Sequence, residues 1–419
     1  MIPSHAAPVA ALGPLPLGER IDALDALRGI ALLGIALMNV ESFTSSMLDA
    51  GTGIDPRQAG LDRFADGFVY IFVQGKFWTL FALLFGMGFA TMSERARAAG
   101  ADFAPVYLRR SCGLLAIGLA HSLLLWSGDI LFCYALASFA LLALRNAPRG
   151  ALWPIGGLLH LTIVATLLTA TAEIAVAGNA GGGAGDTAAE NALRSAEVAA
   201  YAHGSYAEAV ALRWRYFLEQ NLSTLWVYVP MALGMFAIGA WFVRSGAIVD
   251  PARHHRLYAG LRWGAGLLGL AITLGGLAID SEPVLVGGRL SAADMLSATM
   301  ELAAAPLMSL AYLAWLVRTL QRGARWPLQF APAGRMALTL YLMQSLAGTL
   351  VFYGYGLGLW GQVSRAPQVL GACVLFVLQM AFARAWFARF RYGPMEWLWR
   401  WFTYARRPAL RRAAVSTSP

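Results

Sequence analysis

The chain has 419 residues, 58% of them hydrophobic and 13% charged, against about 45–50% and about 25% in an average soluble domain. So apolar a chain cannot cover its surface with polar groups in water, which excludes a soluble enzyme and a disordered protein and leaves a polytopic membrane protein. The net charge of +9 rests on 31 arginines and the single lysine Lys76; its distribution along the chain reads as topology and not as nucleic-acid binding.

Taken in chain order, a disordered tail over 1–20 precedes ten apolar stretches: 24–44, 67–92, 106–126, 129–145, 152–176, 222–243, 258–279, 293–317, 334–356 and 367–389. Most fit the roughly 17–25 residues that cross a bilayer core. The second reads as a half-helix joined to a full span, and the fourth is short. No basic region with a cleavable apolar run opens the chain, so the first stretch is expected to stay as an anchor. The expectation is an all-α bundle of about ten spans. Domain 21–177 carries a His121/Asp129 motif and domain 222–405 is a second membrane unit. Between them, 178–221 is Gly/Ala-rich and amphipathic, either capping a site or connecting spans. A basic disordered tail covers 406–419.

The loops alternate in charge. Arg95, Arg97, Arg109 and Arg110, then Arg145 and Arg149, then Arg244, Arg253 and Arg256, then Arg318, Arg322 and Arg325, and finally eight arginines from Arg384 onward mark one side. Asp49, Asp55, Asp62, Asp66, Asp129, Asp186, Glu190, Glu197, Asp280, Glu282 and Asp294 mark the other. By the positive-inside rule both termini are cytoplasmic. The three cysteines, Cys112, Cys133 and Cys373, sit in apolar runs without CxxC spacing, so neither a disulfide framework nor a metal site is expected.

Ionisable groups inside spans cost roughly 2.5–3.5 kcal/mol each on insertion scales and need a reason. Asp25 and Arg28, at i and i+3 on the first span, are a snorkelling pair at the membrane edge or a contact for an anionic ligand such as a phosphate. Gln74-Gly75-Lys76 opens the run to Met92; a lone lysine in an arginine-only chain marks a place that needs a compact ammonium, or chance. Gly86 and Gly88 there permit close helix approach. His121, about one and a half turns inside the end of the third span, is followed by Trp126, the turn Ser127-Gly128 and Asp129 at the start of the fourth. It is a structural histidine, or a general base oriented by Asp129. Tyr341, Gln344 and Ser345 form a polar stripe on the ninth span, often interhelical glue, and Asn39 with Glu41, and Glu301, are placed to face the same cavity. Pro394 starts a short interfacial helix containing Glu396.

These stretches together resemble a known family. Leu24 to Gly29 with Asn39, the run from Gln74 through Gly88, and His121 to Leu131 look like the N-terminal half of the YeiB-like bacterial inner-membrane proteins. Tyr341 to Ser345, Phe352-Tyr353-Gly354 and Gly393 to Arg400 look like that family's C-terminal domain of unknown function. The family is in turn similar to the transmembrane acyltransferases in first-span motif and hydropathy, although Asn39 stands where acyltransferase family 3 typically has histidine. The resemblance implies acyl transfer from a cytoplasmic acyl-CoA to a small-molecule or glycan acceptor at the membrane or its outer side, in the bacterial inner membrane. His121, Asp129 and Lys76 would then be catalytic, and Arg28, Asp25, Asn39, Gln74, Trp126, Tyr341, Gln344 and Glu396 would line the binding sites. A transporter or flippase for a small or lipid-linked metabolite is the alternative, a non-catalytic scaffold in an envelope complex is a third reading, and a homodimer stays open.

Overall fold

The computed structural model of the chain describes residues 22–179, 187–280 and 291–412. The expected tail over 1–20, the glycine run 181–185, Asp186, Glu282 and residues 413–419 of the basic tail lie outside them. Among the described residues the architecture is helical, without a named strand. In chain order the helices are α1 (Asp22–Asn39), α2 (Gly60–Phe72), α3 (Lys76–Ala98), α4 (Phe103–Ala120), α5 (Leu131–Ala143), α6 (Arg149–Asn179), α7 (Thr187–Glu197), α8 (Tyr206–Tyr216), α9 (Leu225–Arg244), α10 (His255–Ala259), α11 (Gly266–Ile279), α12 (Ala292–Gln321), α13 (Ala331–Arg335), α14 (Ala337–Phe352), α15 (Arg365–Arg389) and α16 (Pro394–Tyr404).

Seven helical segments are long and apolar enough to cross a membrane: Gly60–Ala98, Phe103–Leu125, Arg149–Ala177, Leu225–Arg244, His255–Ile279, Ala292–Gln321 and Arg365–Arg389. The other three expected stretches are helical but fall short of that standard. α5 and α14 are only 13 and 16 residues long, and α1 opens with Asp22, Asp25 and Arg28. The stretch expected as a half-helix plus a span is α2 and α3, broken where Gly75 takes φ of 73°, a conformation that favours glycine.

Lipid tails are as apolar as leucine, so close packing and polar contacts hold such helices together. α3 and α9 show it. Gly86 faces the carbonyl of Phe236 and Gly239 faces that of Leu83, and a Cβ on either would overlap the opposing backbone. Gly88, by contrast, looks past its helix toward Arg28. The main core is built from α1, α3, α4, α5, α9 and α12, with Leu83, Met87, Tyr134, Phe236 and Leu313 at its centre. A second cluster, around Phe43, Trp126, Tyr201 and Tyr353, joins the end of α1 to the 187–221 segment.

The two ends of the bundle differ in charge. Arg244 reaches Glu94 and the carbonyls of Arg145 and Ala147, so several arginine-bearing loops share one end. At the other end Arg365 pairs with Glu41 and Asp66, each at 3.0 Å.

Candidate active site: an acid, an imidazole and a hydroxyl between two cavities

α4 does not stop at Ala120. Residues His121–Leu125 continue it as a wide π turn, closed by Trp126 N donating to the His121 carbonyl at 2.8 Å. Such turns recur at functional sites. The chain then reverses through Ser127-Gly128 and brings Asp129 back under the histidine. Asp129 Oδ1 accepts the backbone N–H of Phe132 at 2.7 Å, capping α5. Its Oδ2 lies 2.6 Å from His121 Nδ1. The carboxylate only accepts, so in the neutral imidazole Nδ1 carries the proton and Nε2 is an acceptor. Ser345 Oγ, from α14, sits 2.9 Å from Nε2 and donates to it. Its competing acceptor, the Tyr341 carbonyl, is at 3.5 Å. All three side chains are buried: His121 and Ser345 are 3% and 1% exposed, and the Asp129 side chain is fully covered. The Tyr341 and Trp126 rings pack 5.1 and 6.2 Å from the imidazole. Trp126 Nε1 and Gln344 Oε1 are buried without a hydrogen-bond partner, a cost of about 1–3 kcal/mol each.

A cavity of about 290 Å³ begins among Arg28, Arg95, Arg110, Arg335 and Arg400 and runs along Leu32, Phe85 and Tyr134 to Ile130 and Tyr341. Five arginines face two carboxylates there. Asp25 is engaged by Arg28 at 2.6 Å. Glu396 accepts from the Thr339 amide and hydroxyl at 3.1 and 2.6 Å at the start of α14, and burial pushes its carboxyl up. The arginine end is therefore strongly cationic. Arg110 is held in place by stacking 3.8 Å over Trp399, whose indole N–H donates to the Arg110 carbonyl at 2.8 Å.

A second cavity of about 300 Å³ lies between the end of α1, α14 and α15. Its polar lining is Asn39, Gln344, Ser345 and Gln368; Val40, Phe43, Val351 and Phe352 are among the apolar residues. Tyr341 lines the first cavity and Ser345 the second. One turn of α14 thus divides them, with His121 against that turn.

The 187–221 segment grips the loop that carries the histidine and its acid. Tyr206 Oη and the buried Arg213 guanidinium both donate to the Leu124 carbonyl, at 2.9 and 2.8 Å. Asn221 Nδ2 donates to the Ser127 carbonyl at 2.9 Å and to Ser122 Oγ at 3.2 Å, and Tyr201 Oη meets Ser127 Oγ at 3.2 Å. Glu197 in turn accepts from Ser46 Oγ and, at 3.2 Å, from the Met47 amide, while Arg194 pairs with Asp49 at 2.8 Å.

Of the residues singled out from sequence, His121, Asp129, Trp126 and Tyr341 come together; Arg28, Asp25 and Glu396 line the first cavity, and Asn39 and Gln344 the second. Gln344 is steadied by Gln379 at 2.9 Å. Lys76 and Gln74 line neither cavity. Lys76 is fully buried, its ammonium donating to Glu301 and, at 3.0 Å, to the Tyr70 carbonyl. Glu301 and Glu41 are thereby spent on Lys76 and Arg365, away from Asn39's cavity. Sequence reasoning placed Ser345 on a polar stripe without linking it to His121, 224 residues away. It missed Arg335 as a cavity residue and Arg213 and Asn221 as clamps; the one signal available for Arg213 was its place in helical register with Ala209, Leu212 and Tyr216, on the apolar face of α8.

The comparisons bear out the YeiB-like part of the resemblance. A family model described as a protein of unknown function (DUF418) matches residues 242–406. The uncharacterized protein YxaH of Bacillus subtilis (strain 168) is 33% identical over 420 residues, covering 94% of this chain and 97% of the relative. The uncharacterized protein YeiB of Escherichia coli (strain K12) is 31% identical over 414 residues, covering 94% and 100%. An uncharacterized 39.9 kDa protein from the amylase 3′ region of Bacillus acidopullulyticus is 25% identical over 402 residues, covering 94% and 97%. No solved structure matches. With a third of its residues shared over nearly the whole length of both chains, the protein belongs to the YeiB-like family of helical membrane proteins.

Proposed function

We propose that the protein is an acyltransferase of the bacterial inner membrane, crossing it about ten times with both termini in the cytoplasm. The observation that carries the reading is the Asp129–His121–Ser345 chain of hydrogen bonds at the partition between two cavities of unlike lining. The arginine end of the first cavity gathers residues from the positively charged loops, which supports a cytoplasmic mouth. Several guanidinium groups around one opening suit the phosphates of an acyl-CoA, and the apolar wall toward Tyr341 suits its thioester arm. The acceptor, a hydroxyl or amine, enters through the second cavity near the outer face.

His121 Nε2 is the base. Asp129 fixes the tautomer and stabilises the imidazolium that forms on proton uptake. Positioned general bases contribute about 10²–10⁴-fold, so His121→Ala should lose at least that much. The test is thiol release from acetyl-CoA and octanoyl-CoA by detergent-purified protein, with and without hydroxyl acceptors. Saturable release that His121→Ala abolishes and Arg28→Ala shifts to higher acyl-CoA concentration sustains the reading. No binding and no release at millimolar donor overturns it in favour of a carrier, whose cavity groups would move a solute without cleaving a thioester.

A further inference from the structure

We infer that Ser345 is an acyl-carrying nucleophile, so that the acyl group passes from one cavity to the other while bonded to the protein. The inference rests on the acyltransferase reading and adds a covalent intermediate to it. Asp129 occupies Nδ1 of His121, and Ser345 Oγ occupies Nε2. The imidazole therefore has no vacant nitrogen for an acceptor, and the first proton within its reach is that of Ser345. A donor chain lying in the arginine-lined cavity ends at Tyr341, one helical turn from Ser345. Ser345 itself belongs to the lining of the second cavity. Donor and acceptor would thus occupy different chambers, and Ser345 lies on the turn of α14 that divides them.

The chemistry balances in two halves. Ser345 Oγ attacks the thioester carbonyl while its proton passes to His121 Nε2. The C–S bond breaks, and the imidazolium returns the proton to the departing thiolate. The products are an ester on Ser345 and free CoA. In the second half an acceptor O–H or N–H in the other cavity gives its proton to Nε2 and bonds to the acyl carbon. The Ser345 Oγ–acyl bond breaks, and Oγ takes the proton back. Asp129 stays ionised throughout, holding Nδ1–H.

The experiment uses the full-length protein in detergent. Wild type, Ser345→Ala, Ser345→Cys and His121→Ala, each first shown to be monodisperse, are incubated with acetyl-CoA or octanoyl-CoA, acid-quenched and digested. Parallel samples receive a lipophilic fluorophosphonate, which reports an activated serine whatever the donor. The expected result is an acyl adduct and a phosphonate adduct on the Ser345 peptide of wild type, both absent from His121→Ala. Ser345→Cys should carry the acyl group as a thioester, and Ser345→Ala should release thiol at least 100-fold more slowly. Equal turnover by wild type and Ser345→Ala, with no adduct, overturns the carrier role and leaves His121-catalysed direct transfer standing. A phosphonate adduct on Ser345 without thiol release from any acyl-CoA overturns the acyl-CoA reading beneath it. Absence of both adducts and of thiol release overturns both.

Discussion

Asp129 holds His121 with the carboxylate oxygen that α5 does not use: Oδ2 meets Nδ1 at 2.6 Å while Oδ1 caps the helix at Phe132. The orientation of the base and the start of the next helix are therefore set by one side chain.

The two jobs separate on mutation. Asn in place of Asp129 keeps an oxygen for the cap but loses the charge that stabilises an imidazolium. Asp129→Asn should melt close to wild type while thiol release falls about 10²-fold or more. Asp129→Ala should also lose the cap and leave Nδ1–H buried and unpartnered, for about 2–4 kcal/mol in all. Turnover and thermal unfolding on both variants check this; an active Asp129→Asn would remove the base assignment.

Lys76 and Glu301 neutralise each other in the core. Removing one partner strands the other's charge, which costs about 3–5 kcal/mol in buried pairs. Lys76→Met should therefore be strongly destabilised, and Lys76→Met with Glu301→Gln should recover most of the loss. The double variant should turn over at the wild-type rate per folded molecule. A folded double variant without turnover would return Lys76 to the chemistry.

Arg28 and Arg110 line the cationic mouth from different helices. Charge-assisted hydrogen bonds contribute roughly 1.5–3 kcal/mol, so either alanine variant should raise the KM for acyl-CoA about tenfold or more with kcat little changed. An acyl donor lacking the 3′-phosphate should show a smaller effect in at least one of them. Steady-state kinetics with the two donors decides it; an unchanged KM for both would place the phosphates elsewhere.

Glu197, outside the spans, has its carboxyl pushed up to about 7 by burial, against the pull of Ser46 and the Met47 amide. Its folded pKa lies above its unfolded value, so the folded state binds the proton more tightly. Its contribution to stability is full below the unfolded pKa and lost as pH rises through about 7. The melting temperature should therefore fall between about pH 5 and about pH 8, and Glu197→Gln should flatten that slope. Parallel slopes for the two proteins would show the titration lies elsewhere.

Much of the site was legible where it is local. His121 and Asp129 are eight residues apart, and a helix end followed by a Ser-Gly turn and an acid already implies that they can meet. Hydropathy located the helical stretches for a similar reason, since crossing lipid is a property of contiguous sequence. What pairs over long separations was not legible. Ser345 and Glu301 are polar residues on apolar helices, and nothing in their spacing says which histidine or lysine each meets. The arginine cavity was half visible: charge marked the loops, but only packing selects Arg335 and Arg400 from among so many arginines.

The wide turn at the end of α4 makes the site a matter of counting. Leu123 is half-buried and Leu124 exposed, and neither side chain takes part in the relay, so both can be exchanged for other apolar residues without touching one of its hydrogen bonds. Deleting one residue from His121–Leu125 would remove the extra residue that the wide turn accommodates and draw the Ser127-Gly128 reversal, with Asp129 behind it, out of register with His121. The constraint on this stretch is thus on its length more than its spelling, and a single-codon deletion there should do more harm than any exchange of those leucines for another aliphatic residue.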